Sequence, residues 1–338
     1  MNIGKLRELI NQKGRIDLDT VPNVLTDNGI AATAWYTDGW YSLPGNNICL
    51  MKKMLSFMGE YERTNTKFQP EEYNAMICPA LAEIFNLPSA IYFMAERKGQ
   101  EYMLTPNFLE EGEELIHLAR VEETITGQKQ KTTAIQGSTK RISDMYNYLE
   151  KYLINYEYKG KKLEEREIKE TLFEYLKQKF FSRFIQNTDE HVFNTAIVIK
   201  GANVKMSDMY DYDFTLAKKT TDVVPNCEWK GIENEMVLDN GKSNVASFVE
   251  QYANYPGMKE FISKILNTFS FERLEAIIKK NIGVVIDREE TKEHYRIIEE
   301  NLRKTREAYK RAYSIEKEGE ERWKWIYTGR TLMEIHII

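Results

Sequence analysis

The amino-acid sequence predicts an α+β protein of two lobes, a small mixed strand-and-helix lobe followed by a larger, mainly helical one. Three observations carry this. Residues 21–105 alternate short apolar runs with turn signals, Asn28-Gly29 and Asp38-Gly39 among them. Beyond residue 106 the apolar period lengthens to three and four, most plainly from Leu163 to Gln186, where Leu172, Leu176, Phe180 and Phe184 share one stripe. A short hairpin is written between the helices: strand Ala196–Lys200, turn Gly201–Asn203, then a second strand from Val204 that ends among aspartates. The boundaries expected are 1–20 for an N-terminal helical extension, 21–105 for the small lobe and 106–338 for the large one.

The elements follow in order. Ile3, Leu6, Leu9 and Ile10 have helical spacing. Ile48–Lys53 reads as an apolar strand ending in two lysines. Residues 69–86 predict a helix that opens at Pro70, buries Met76, Ile77, Leu81, Ile84 and Phe85, and is kinked or interrupted at Pro79. Ala90–Ala95 and Glu101–Thr105 form a hairpin about Lys98-Gly99, closed by Pro106. An acidic amphipathic helix is expected over 108–122, a polar loop over 123–143 and an aromatic-rich helix over 142–158. Residues 218–245 read as irregular, 248–280 as two helices about Pro256-Gly257, 287–315 as a long charged helix and Trp323–Ile338 as an apolar end that packs down.

Composition narrows the function. With 42% hydrophobic and 29% charged residues the chain is an ordinary globular one, and its net charge of −5 argues against direct nucleic-acid binding. No apolar run approaches the length of a membrane span, and the amino terminus lacks a signal-peptide core. The three cysteines, Cys49, Cys78 and Cys227, are scattered and fit neither a disulfide framework nor a zinc pattern, so a reducing cytoplasm is expected.

The chemistry concentrates in Asn187, Asp189, His191 and Asn194, followed by Tyr210-Asp211-Tyr212-Asp213-Phe214. An Asp with an Asn five positions on can serve two roles in one loop. The Asp189 carboxylate accepts a proton from an attacking hydroxyl, and the Asn194 amide oxygen ligates magnesium. An aspartate returning after a hairpin supplies a second oxygen to the metal on the nucleotide phosphates; Asp211 is the first candidate and Asp213 the alternative. The plainer readings are an Asn-Asp turn or a helix cap, but the residues after Asn194 read as strand. Asp189 and His191 also suit a metallophosphoesterase opening, yet the chain has only four histidines and no Gly-Asn-His-Glu segment. His191 is expected to brace the loop rather than move a proton.

At these residues the sequence resembles the HipA-like kinases, whose catalytic loop reads N-x-D-x-H-x-x-N and whose metal-binding Asp follows a Tyr. The resemblance is specific over about residues 165–217 and looser over 70–110. The D-x-H-x-x-N part is shared with phosphatidylinositol 3/4-kinases. The resemblance implies a bilobal protein-kinase-like fold and Mg²⁺- and ATP-dependent transfer to a hydroxyl, of Ser or Thr in a protein substrate, with an antitoxin-type protein as partner. It asks for one inward lysine at the end of Ile48–Lys53; strand alternation admits Lys52 or Lys53, and Lys52 is preferred narrowly. Glu71 or Glu72 is the candidate carboxylate partner of that lysine, and Met103, Leu104 and Thr105 are the candidates for the adenine-binding connector. Gly29 is a candidate for a loop over the phosphates, although neither the glycine-rich loop of ordinary kinases nor the HipA loop motif is found. A pseudokinase, or a lipid or small-molecule kinase, is the alternative.

Overall fold

A computed structural model describes residues 2–26, 37–53, 67–129, 140–212, 215–216 and 236–314. The readings made at Gly29, Asp213 and Trp323–Ile338 lie outside the described residues.

Short, β-branched and aromatic runs build the amino-terminal sheet. Strands β1 (Ile16–Asp17), β2 (Val24–Thr26), β3 (Thr37–Leu43), β4 (Asn47–Lys53), β5 (Phe93–Arg97) and β6 (Gln100–Pro106) assemble in the order β1-β5-β6-β4-β3-β2. Strand β4 alternates buried and half-buried positions, with Cys49 and Met51 fully in the core, so the period-two pattern of its sequence places one face inward. Residues 1–20 are not a separate extension. Helix α1 (Ile3–Glu8) leads into β1, which pairs in parallel with β5 at Ile16–Ala95 and so joins the sheet.

Helix α2 (Pro70–Ile84) packs against the later helix Phe271–Ile282. A capping box opens it, with Gln69 N–H donating to the Glu72 carboxylate at 2.8 Å, and Pro70 stands where the first helical N–H has no partner to lose. The helix continues through Pro79 instead of breaking. Residues Glu72 to Ala82 are all buried, and that packing holds the helix across the missing hydrogen bond.

Beyond β6 the helical part begins, but not with the expected acidic helix. Strand β7 (Glu114–His117) precedes helix α3 (Leu118–Thr126), because Leu115 and Ile116 pair with β11 (Ala196–Lys200). Then come β8 (Lys140–Arg141), helix α4 (Ile142–Asn155), the β9–β10 hairpin (Glu157–Tyr158, Lys161–Lys162) and helix α5 (Glu165–Phe184). β11 turns back into β12 (Asn203–Met206). Short strand β13 (Met236–Val237) and helices Val245–Tyr252, Met258–Thr268, Phe271–Ile282 and Lys292–Ser314 complete the described chain. Among the described residues no helix is long and apolar enough to cross a membrane.

Helix α5 positions the site. From Tyr175 to Phe184 it is buried on nearly every side, with Tyr175, Leu176, Phe180, Phe181 and Phe184 fully enclosed. Phe180 meets Phe248 and Phe261 edge-on, and Phe85 of the turn after α2 packs on Phe181 and Phe184 at 5.4 and 4.9 Å. The chain therefore leaves α5 at a point fixed in the core, directly ahead of Asn187.

Candidate active site

The loop after α5 is shaped by its own side chains. Asn187 Oδ1 accepts from Asp189 N–H at 2.9 Å, the Asx turn that this residue pair favours. His191 Nδ1 accepts from Phe193 N–H at 3.2 Å, which puts the ring proton on Nε2, 3.6 Å from Asp189 Oδ1. Burial keeps His191 below its ordinary pKa, so the ring is neutral near pH 7. The Asn194 amide donates to Asp189 O at 3.1 Å and to Asp189 Oδ2 at 3.3 Å.

Asp211 arrives from the other side of the hairpin. The second strand stops at Met206, short of the aspartates, and Asp211 adopts a left-handed backbone with φ of 63°. Asp is among the few residues that tolerate that region. Its N–H is received by the Tyr92 hydroxyl at 2.8 Å. Strand alternation therefore does not apply at Asp211, and its carboxylate is aimed by the left-handed turn.

Lys52 reaches this carboxylate from the sheet, with Nζ 2.9 Å from Asp211 Oδ1. Lys53 follows on β4 and faces the other way by alternation. Burial alone would push the Asp211 carboxyl up; Lys52, His191 and a hydrogen bond from Asn194 outweigh it and hold the group below the usual carboxylate range. Lys52, Asp189, His191, Asn194 and Asp211 thus form one constellation, drawn from β4, the loop after α5 and the turn after β12.

The donor set fits magnesium. Asp211 offers an anionic oxygen already ionised, and Asn194, with its amide nitrogen on Asp189, has its carbonyl end to offer. Magnesium takes one or two such protein oxygens and leaves its remaining positions to phosphates and water.

Two sets of sequence candidates stand elsewhere. Glu72 is not the partner of Lys52. It is fully buried at the start of α2, where Arg15 grips both carboxylate oxygens (Nη2–Oε2 2.8 Å) and also contacts Glu101 at 3.1 Å. The capping box turns the carboxylate back toward Gln69, and Arg15, entering ahead of β1, meets it there. Met103, Leu104 and Thr105 are not a connector. They lie within β6, where Met103 is flanked by Lys52 and Met94 and Leu104 by Met51 and Phe93. Asn107 N–H donates to Ile48 O at 2.7 Å, so by antiparallel alternation Thr105 and Met103 also turn their backbone groups to β4, and Leu104 turns to β5. No base can use those groups. The chain crosses to the helical part after Pro106, where Phe108 stacks on Tyr210 at 5.9 Å.

Three residues of the site were missed from the sequence. Tyr92 receives Asp211 N–H, and Lys179 and Arg183 of α5 engage Glu190 beneath the loop. The last two carried a local signal: cations four residues apart, interleaved with Phe180, Phe181 and Phe184 in the last turns of the helix.

With this geometry established, the likeness to solved structures is informative. The Helicobacter pylori proinflammatory kinase CtkA superposes with a TM-score of 0.56 at 14% identity, over 81% of this chain and 94% of that one. The chain has a kinase fold. The α+β class expected from the sequence is the one observed, and the kinase resemblance of the loop agrees with it. A chain of the Shewanella oneidensis MR-1 toxin–antitoxin complex of HipA, HipB and operator DNA aligns at 14% identity with a TM-score of 0.47, over 88% of this chain and 66% of that one. No family model matches the chain, and no curated protein matches it. In this fold β4 and the part that carries the loop with Asp189 meet through Lys52 and Asp211.

Proposed function

We propose that the protein is a magnesium- and ATP-dependent phosphotransferase that passes the γ-phosphoryl group to a hydroxyl, that of Ser or Thr in a protein. The observation that carries this reading is the Lys52–Asp211 ion pair, set beside an Asn194 amide that joins Asp189 to Asp211.

Each group has a chemical task. The Asp189 carboxylate orients the acceptor hydroxyl and takes its proton as the oxygen–phosphorus bond forms and the bond to the leaving ADP breaks. Lys52 exchanges Asp211 for the α- and β-phosphates. Asp211 and Asn194 would hold magnesium, which would supply neutralisation of phosphate charge. His191, neutral and fixed by Phe193 N–H, braces the loop with its Nε2 3.6 Å from Asp189 Oδ1. The HipA-like resemblance extends the proposal to an antitoxin-type protein partner.

The test is incubation with γ-labelled ATP and magnesium, alone and with cell extract, followed by mass spectrometry for new phosphosites. New phosphoserine or phosphothreonine that disappears in Asp189→Ala supports the reading. Nucleotide binding with no transferred label in any condition would refute it.

A further inference from the structure

Beneath the loop lies a charge cluster that the proposed chemistry does not use. Lys179 and Arg183, one turn apart near the end of α5, have side chains 1% and 0% exposed, and Glu190 between them is 3% exposed. Two basic side chains thus share one carboxylate in the core. Lys179 Nζ donates to Glu190 Oε1 at 2.8 Å and to Thr195 Oγ1 at 2.7 Å. Arg183 contacts the other carboxylate oxygen of Glu190.

The sequence positions of those two acceptors matter. Glu190 follows Asp189, and Thr195 follows Asn194. A single amine nitrogen, mounted on the buried end of α5, is bonded to the immediate neighbours of both working residues. It fixes the separation of the two ends of the loop from below, while the Asn194–Asp189 hydrogen bonds fix it from above.

We infer that Lys179 is a positioning residue, which sets the distance between Asp189 and Asn194 by holding Glu190 and Thr195 together. The inference rests on the phosphotransferase reading of that loop. A stable fold alone does not require this lysine. Burial and the neighbouring Arg183 push the Lys179 amine well below the ordinary lysine pKa, so charge there is disfavoured, and taking Lys179 away leaves the balanced pair of Arg183 and Glu190. Were packing the only purpose, an apolar side chain of similar length would serve as well or better.

Lys179→Met is the test, with Lys179→Gln and Thr195→Val beside it. Turnover is read as label released or transferred from γ-labelled ATP with magnesium; nucleotide affinity and thermal midpoint are measured on the same samples. The expected result for Lys179→Met is a fall in kcat of about 10²-fold, the effect of ångström-scale misplacement, with Kd for Mg-ATP and the thermal midpoint little changed. Lys179→Gln retains an amide with two N–H donors and recovers part of the rate. Thr195→Val removes one acceptor at nearly constant volume, so it reports even if the lysine variants unfold; its kcat falls while its Kd does not. Wild-type kcat in Lys179→Met or in Thr195→Val overturns the inference, and so does a loss of Mg-ATP affinity that matches the loss of rate. Asp189→Ala in parallel separates the two claims: if it turns over normally the phosphotransferase reading fails, whereas an inactive Asp189→Ala beside fully active Lys179 and Thr195 variants sinks only the positioning role.

Discussion

Lys52 and Asp211, 159 positions apart, meet at 2.9 Å, one from a central strand of the sheet and the other from a left-handed turn of the helical part. Of the two lysines ending β4, Lys52 is the one that reaches Asp211. It also keeps Asp211 ionised in a place where burial works against charge. Lys52→Met should release that restraint. Removing one preorganised charge donor from a phosphoryl site lowers turnover by roughly 10²–10³-fold. Titration of Asp211 by NMR should show its pKa rising in the variant. A Lys52→Met protein with unaltered Asp211 titration and unaltered turnover would leave the pair without a role.

Asp189 carries the proposed proton transfer, and a positioned base of this kind contributes about 10²–10⁴-fold in rate. Asp189→Asn keeps the hydrogen bond from Asn194 and the turn from Asn187, so the loop is retained and only basicity is lost. The expected outcome is a kcat lowered by about that factor with Mg-ATP affinity preserved, measured by single-turnover label transfer and by calorimetry. If affinity collapses with the rate, Asp189 is a metal or nucleotide ligand and not the base.

Glu72 was the sequence's candidate for the lysine partner and is instead held by Arg15. Removing one member of a buried ion pair typically costs about 3–5 kcal/mol, because the other charge stays uncompensated, whereas replacing both with apolar groups is often neutral. Arg15→Met should therefore lower the urea midpoint sharply, and Arg15→Met/Glu72→Met should recover most of it. The double variant should also retain phosphotransfer. Loss of activity in a stably folded double variant would show that Glu72 serves the cleft after all.

The contrast between Glu72 and Asp211 shows what the sequence made legible. Local pattern was readable because it acts over a few residues: the period of α5 was, whereas the Asn-Asp turn set aside as the plainer reading is present at Asn187. Helix α5 and the β11–β12 hairpin were placed within a few residues of where they stand. Pairings across the chain were not readable. Nothing near Glu72 announces Arg15, 57 positions earlier, since that contact depends on β1 joining the sheet edge. The connector was misplaced for a related reason. Met103 to Thr105 have the apolar content of any buried strand, and only the ladder with both β4 and β5 reveals that their backbone groups are taken. Leu115 and Ile116 read as helix because their acidic flanks suited one; pairing with Val198 and Ile197, far along the chain, overrode that preference.

The last prediction concerns acid stability and a histidine far from the chemistry. His294, on the helix Lys292–Ser314, is buried with Nε2 3.1 Å from Asn74 Oδ1 of α2, and burial pushes its pKa down to about 4 from an ordinary 6.5. For a base, a depressed native pKa means that the unfolded chain binds the extra proton first. Stability is therefore full above about 6.5 and is lost as pH falls toward about 4. Between pH 7 and pH 5 this one residue should remove about 2 kcal/mol of unfolding free energy. His117 and His191 are shifted in the same direction and add to the loss, so the wild-type slope alone does not isolate His294. Asp211 does not confuse the window, because its pKa lies below the ordinary carboxylate value and it stays ionised at pH 5. His294→Gln keeps an N–H donor for Asn74 and cannot titrate. Urea unfolding at the two pH values should show a drop about 2 kcal/mol smaller in the variant than in the wild type. Equal drops would mean that His294 is protonated in the folded protein at pH 5, and that the contact with Asn74 does not depend on a neutral ring.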